Sequence, residues 1–249
     1  MKLVFLLILL VGSALASDPQ SAGTSDSTDH HPTERERAAE QLKQQQKQRI
    51  LGIIPNFNTS FIQDAAPLTP GQKFHLALRG ATDPFVFVAA GLDAGIEQWQ
   101  NDFAGYGQGA QGYAKRFGAA YADNFTGAMF GGAIFPSILH QDPRYFRKGT
   151  GSVTGRLFYS IATTVRAKHD GGRWEPNYSN ILGNLAAGGM ANLYYPASDR
   201  GAALTFERAL TVTAEGAIGS IFVEFWPDIS SKLFHKHPKN DTAAPPSGG

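Results

Sequence analysis

The stretch from Gln108 to His140, QGAQGYAKRFGAAYADNFTGAMFGGAIFPSILH, decides the fold. Tyr113, Phe117, Tyr121, Phe125 and Met129 recur at every fourth position, and Ala110, Ala114, Gly118 and Ala122 form a second row at the same spacing. A repeat of four places each row on one face of a helix, large aromatics on one side and small residues on another. Related small-residue rows follow at Gly91 and Gly95, Gly127 and Gly131, Gly183, Ala187 and Ala191, and Ala209, Thr213 and Ala217. A glycine inside a helix costs about 1 kcal/mol relative to alanine. Its repeated use implies backbones brought close together, as in small-xxx-small helix packing.

Outward from this stretch, Thr69-Pro70, Asp83-Pro84 and Asp142-Pro143 each place a capping oxygen before a proline, the pattern of a helix start. Together the signals predict helices at about 70–80, 84–100, 108–122, 124–140, 153–166, 180–194 and 203–225, with a final turn after Pro227. Strand-like alternation is scarce. Between Thr163 and Pro176, Asp170-Gly171-Gly172 separates two β-tolerant runs, as a hairpin requires. The expected fold is therefore mainly α, a small-residue-rich helical bundle with a short β-hairpin near 163–176.

The ends read differently. Lys2, the apolar run Leu3 to Val11 and the Ala14-Leu15-Ala16 site have the order of a secretion signal, giving a signal peptide at 1–16. Residues 17–49 are read as a polar leader followed by a solvated helical spacer, with Thr33 and Glu36 in capping-box spacing and Leu42 the only large apolar side chain. The helical domain is set at 50–234 and a polar tail at 235–249. An exported protein of the periplasm or cell envelope is expected.

Composition excludes several classes. The 249 residues contain no cysteine, so disulfides, thiolate metal sites and thiol nucleophiles are absent. Lys and Arg number 22 against 21 Asp and Glu, which is not the basic footprint of a nucleic-acid binder. No nucleic-acid partner, metal or cofactor is expected. Acidic residues interrupt the apolar helices, and the mean hydropathy of −0.22 is low for a polytopic membrane protein. A soluble bundle is favoured, with membrane-associated helices as the alternative and a β-barrel the least supported.

The densest chemistry lies in HQDPRYFR, residues 140–147. His140, Asp142 and Tyr145 are the catalytic candidates if the protein is an enzyme, with Arg144 and Arg147 as ligands for a phosphate or carboxylate. The competing expectation is structural: Asp142 caps a helix begun by Pro143, and the arginines pair with nearby acids. A second group, Asp93, Glu97, Asp123, Glu207, Glu215 and Glu224, places acids inside otherwise small or apolar helices; Asp93 and Glu97 share a face and are further ligand-binding candidates. Two inward carboxylates can serve as acid and base if one has a raised pKa, and structural ion pairs are again the competing expectation.

The strings Ile53-Ile54-Pro55-Asn56, Gly95-Ile96-Glu97-Gln98-Trp99-Gln100, HQDPRYFR, Asn192-Leu193-Tyr194-Tyr195-Pro196 and Glu224-Phe225-Trp226-Pro227-Asp228 resemble a family of uncharacterised exported proteins of Gram-negative bacteria. The resemblance covers about 50–234 and implies no activity. The function expected is that of an exported cell-envelope protein, a non-catalytic structural or binding component that packs against a membrane or an envelope partner, self-association included. The alternative is a periplasmic hydrolase of an anionic envelope substrate acting through His140, Asp142 and the nearby arginines.

Overall fold

Local capping chemistry sets most of the helix starts. In the computed structural model, which describes residues 33–50 and 54–234, Thr33 and Thr69 each close a full capping box, with Glu36 and Gln72. These open α1 (Glu34–Gln45) and α2 (Pro70–Ala81). Asp83 caps α3 (Pro84–Gln100) by accepting from the Phe85 amide. The expected signal peptide, the leader up to Pro32 and the tail at 235–249 lie outside the described residues, which belong to one compact unit.

α4 (Gly109–Met129) runs without interruption through the break expected at Asp123. Asn124 and Thr126 bond back to the helix carbonyls of Ala120 and Ala122, so residues that compete with a helix elsewhere are satisfied inside this one. A π-helical segment, Phe130–Ile134, then leads into the short α5 (Phe135–Ile138). Pro136 has no N–H to donate to the preceding turn, and a widened turn at Gly131-Gly132 accommodates it.

The remaining helices are α6 (Val153–Ala162), α7 (Tyr178–Ala191) and α8 (Ala202–Phe234). α6 ends earlier than predicted because Arg166 already belongs to a strand. α8 continues through Pro227, where a stop was expected. Pro227 has no N–H for the Val223 carbonyl, and in the turn it opens the neighbouring Glu224 carbonyl is taken by Arg147 Nε at 3.0 Å and Arg156 Nη2 at 2.7 Å, contacts from other elements that hold the helix there.

The strands are short. β1 (Arg49–Ile50) pairs antiparallel with β2 (Ile54–Pro55), and β3 (Thr59–Ser60) pairs parallel with β5 (Tyr145–Phe146). The predicted hairpin is present as β6 (Arg166–His169) and β7 (Trp174–Pro176), and β4 (Gln141–Asp142) adds a third strand at the order β4-β6-β7. Asp142 is thus in a strand and caps no helix, a correction to the proline-based reading. Its side chain is claimed instead by Arg144, two residues on, with Nη2 at 2.6 Å.

Small residues pack as their spacing implied. A Cβ on Gly183 of α7 would meet the Gly131 Cα at 2.6 Å, and one on Gly188 would meet the Thr205 carbonyl oxygen of α8 at 2.4 Å. Ala187, Ala191 and Ala209 are buried along the same seams. Gly95 and Gly127 have nothing that close, so of their rows only the Gly131 position makes such a backbone approach. α1 departs from the solvated spacer expected of it: Ala38 and Leu42 are buried, and Leu42 joins Phe57, Leu68 and Leu76 in a small apolar core. One stripe of small and apolar residues at four-residue spacing is enough to dock it.

Candidate functional site

HQDPRYFR, the first site suggested by the sequence, is a structural hub. Asp142 and Arg144 hold each other, and Arg144 Nη2 also donates to the Ala66 carbonyl at 2.8 Å. The Tyr145 hydroxyl donates to Glu224 at 2.6 Å, and Arg147 reaches Asp228 at 3.0 Å. Glu224, fully buried in α8, also accepts from Arg156 Nε at 2.7 Å and from the amides of Lys148 and Gly149 at 2.9 and 2.8 Å. Burial opposes its charge, but those hydrogen bonds outweigh burial and lower its pKa below the ordinary value. Arg156 completes the group by bonding Asp228. Glu224 and Asp228 are held ionised by several donors each, the condition of a structural clamp.

His140 stands apart from that clamp. It adopts the left-handed conformation, φ 54°, at the turn from α5 into β4. Its imidazole is largely exposed and lies 3.9 Å from Asp170, whose other partner is the buried Lys73 at 2.7 Å. The structure therefore joins His140 with Asp170, while Asp142 is engaged by Arg144.

Part of the second acid group is drawn together, while Glu224 belongs to the clamp above and Glu207 is exposed. Asp93 and Glu97 on α3, Asp123 on α4 and Arg208 on α8 meet beneath Tyr194 and Tyr195, which follow α7. Tyr194 and Tyr195 donate to the two Asp123 oxygens at 2.5 and 2.7 Å. Arg208 Nη1 donates to the Tyr195 hydroxyl at 2.6 Å and lies 3.3 Å from Asp123 and 3.7 Å from Glu97. Its guanidinium covers the Phe103 and Tyr195 rings. The connection below it is fixed by Arg116, fully buried, which donates to the carbonyls of Asp102, Phe103 and Gly107 and to Gln98.

One guanidinium thus pairs with two carboxylates, Asp123 and Glu97, and acts through space on two more, Asp93 and Glu215. Burial raises Asp93, Asp123 and Glu97 above their ordinary values, with Arg208 pulling each back, and Glu97 is brought to about 7. Asp93 and Asp123 push Glu97 further up. Glu97 Oε2 and Arg208 Nε are buried without a hydrogen-bond partner. Such a cluster takes up and releases a proton close to neutral pH. It has no oriented nucleophile, and no group of three or more His, Asp or Glu able to hold a metal occurs among the described residues.

Sequence reasoning named the acids, with ion pairs as the competing expectation, but gave the two tyrosines no site role. They lie 71 and 72 residues beyond Asp123, and only their phenols beside a helix end, in Asn-Leu-Tyr-Tyr-Pro, signalled a need for acceptors. No protein family, curated protein or solved structure matches the chain.

Proposed function

We propose that this chain is a non-catalytic component of the cell envelope that docks against a membrane through exposed apolar helix faces. The observation that carries this reading is an inverted distribution of side chains. α8 exposes Phe206, Leu210, Ile218 and Leu233, while its Arg208 and Glu224 turn inward to partners on other elements. The same holds around the molecule: Trp99 of α3 is 85% exposed, and Phe158 of α6 and Leu193 after α7 are 68% and 70% exposed. Exposed apolar surface on this scale marks a lipid-facing or partner-facing protein. No helix of the described residues is long and apolar enough to cross a membrane, so the reading is of helices lying on or partly in the interface.

The test is fractionation of the native protein, with membranes washed in high salt, then carbonate, then detergent. Retention through salt supports apolar docking. Recovery in the soluble fraction, or complete release by salt alone, refutes it.

A further inference from the structure

Between the β4-β6-β7 sheet, the N-terminal turn of α7 and the middle of α8 lies a cleft of about 160 Å³. That is smaller than the ~300–1,000 Å³ of sites for drug-sized ligands, and suits a single small polar group. Two residues that line it carry buried side-chain atoms with no hydrogen-bond partner, Arg144 Nη1 and Ser179 Oγ. Both residues are nearly inaccessible, at 4% and 3% exposed. Buried donors of this kind are rare in folded proteins, because each unmade bond costs about 1–3 kcal/mol.

The charges of the lining point one way. Arg144, Arg166 and Lys168 stand against Asp142 as the single carboxylate, leaving a cationic excess of two. Asp142 is held by the Nε and Nη2 of Arg144, so Nη1 is the guanidinium's remaining edge. Lys168 also reaches Asp64 outside the cleft, at 3.7 Å. Arg166 sits exposed at the rim over the Trp174 ring. Ser179 is the second residue of α7, whose positive dipole end adds to the same field.

We propose that this cleft binds a small oxyanion, phosphate in preference to a carboxylate, through Arg144, Ser179 and Arg166. Arg144 Nη1 supplies the charged hydrogen bond, the Ser179 hydroxyl a neutral one, and Arg166 closes over the outer oxygens. The doubly charged phosphate matches the cationic excess better than a singly charged carboxylate does. The site is independent of membrane docking and stands or falls separately from it.

The experiment is calorimetric titration of the full chain with inorganic phosphate, and with acetate, at constant ionic strength. Wild type should saturate at one phosphate per chain and bind acetate more weakly. Ser179→Ala should bind phosphate about tenfold more weakly, the scale of one hydrogen bond to a charged group, while its melting temperature in phosphate-free buffer stays at the wild-type value. Arg166→Gln should weaken binding and reduce its salt dependence. Arg144 is left intact, because its pairing with Asp142 also holds the fold. A parallel arm measures binding to phosphatidylcholine vesicles with and without phosphatidic acid. Free phosphate that binds and competes identifies a soluble ligand; Ser179-dependent binding to phosphatidic acid alone identifies a lipid headgroup. Absence of saturable binding in both arms, or binding unchanged by Ser179→Ala, overturns the proposal.

Discussion

Gly183→Ala tests the close packing of α7 against the π-helical segment more directly than any other change. The added methyl would lie 2.6 Å from the Gly131 Cα and 2.7 Å from its nitrogen. Carbon atoms in contact prefer about 3.5–4.0 Å, so the two backbones must separate by about 1 Å. No flexible side chain can absorb the movement, since both obstructing atoms are main chain. Overpacking of this kind costs about 1–3 kcal/mol and sometimes more, whereas alanine regains about 1 kcal/mol of helix propensity. A cost at the upper end of that range leaves a net loss of about 2 kcal/mol, or roughly 4–8 °C in melting temperature for a domain of this size. Gly189→Ala on the same helix is the control: nothing lies within 4 Å of its Cβ, so it should be neutral or stabilising by up to about 1 kcal/mol. Urea unfolding of the two variants beside wild type separates them. A Gly183→Ala protein as stable as wild type would refute the close-approach account of the glycine rows.

Glu224→Gln replaces an acceptor of four hydrogen bonds and leaves Arg156 with an amide, so it should cost about 3–5 kcal/mol, the loss seen when one member of a buried ion pair is removed; calorimetry reads this as a large drop in melting temperature. Because burial raises Glu97 to about 7, the folded state holds a proton there that the unfolded chain releases near the ordinary value. Stability from this group is therefore full below about pH 4.5 and is lost as pH rises toward 7, by up to about 3 kcal/mol. Melting curves from pH 5 to 8 should show the decline, to which Glu215, also raised by burial to about 7, contributes in the same sense; Glu97→Gln should reduce the slope, and an unchanged slope in the variant would assign the effect elsewhere. Glu224 works in the opposite sense, since its lowered pKa gives stability that is present above its unfolded value and lost as pH falls through the folded one. Finally, Phe206→Ser combined with Leu210→Lys, at positions 58% and 70% exposed, should move the protein into the salt-released fraction while changing stability by no more than about 0.5 kcal/mol.

What the sequence made legible is what depends on neighbours along the chain. Thr69 and Asp83 cap helices because the capping oxygen and the amide it serves lie within three residues of each other. The hairpin at Asp170-Gly171-Gly172 is legible for the same reason, with Gly172 supplying the positive φ of 85° that its turn demands. Asp142-Pro143 carries the same local signal and folds otherwise, because Arg144 and the pairing of Gln141 with His169 outcompete the cap. Asp123-Asn124 looked like a break, yet two tyrosines from beyond α7 satisfy the acid within a continuous helix. The acid group was visible as residue types in unusual surroundings. Its convergence on Arg208 was not, since that requires knowing which helices are neighbours.

The parallel pairing of β3 with β5 has a bearing on the order of assembly. Together with the bond from Gln63 to the Arg147 carbonyl it ties together segments 84 residues apart. Loop-closure entropy grows only slowly with such a separation, so the finished chain loses little by it. A chain still being synthesised stands differently: Leu42, Phe57, Leu68 and Leu76 can collapse early, but Thr59 and Ser60 find no β-strand partner until Phe146 exists. Until then the N-terminal arm offers an open strand edge to whatever is nearby. Translation therefore sets a timetable for this fold, in which a strand made before most of the helices is among the last elements to be locked in place.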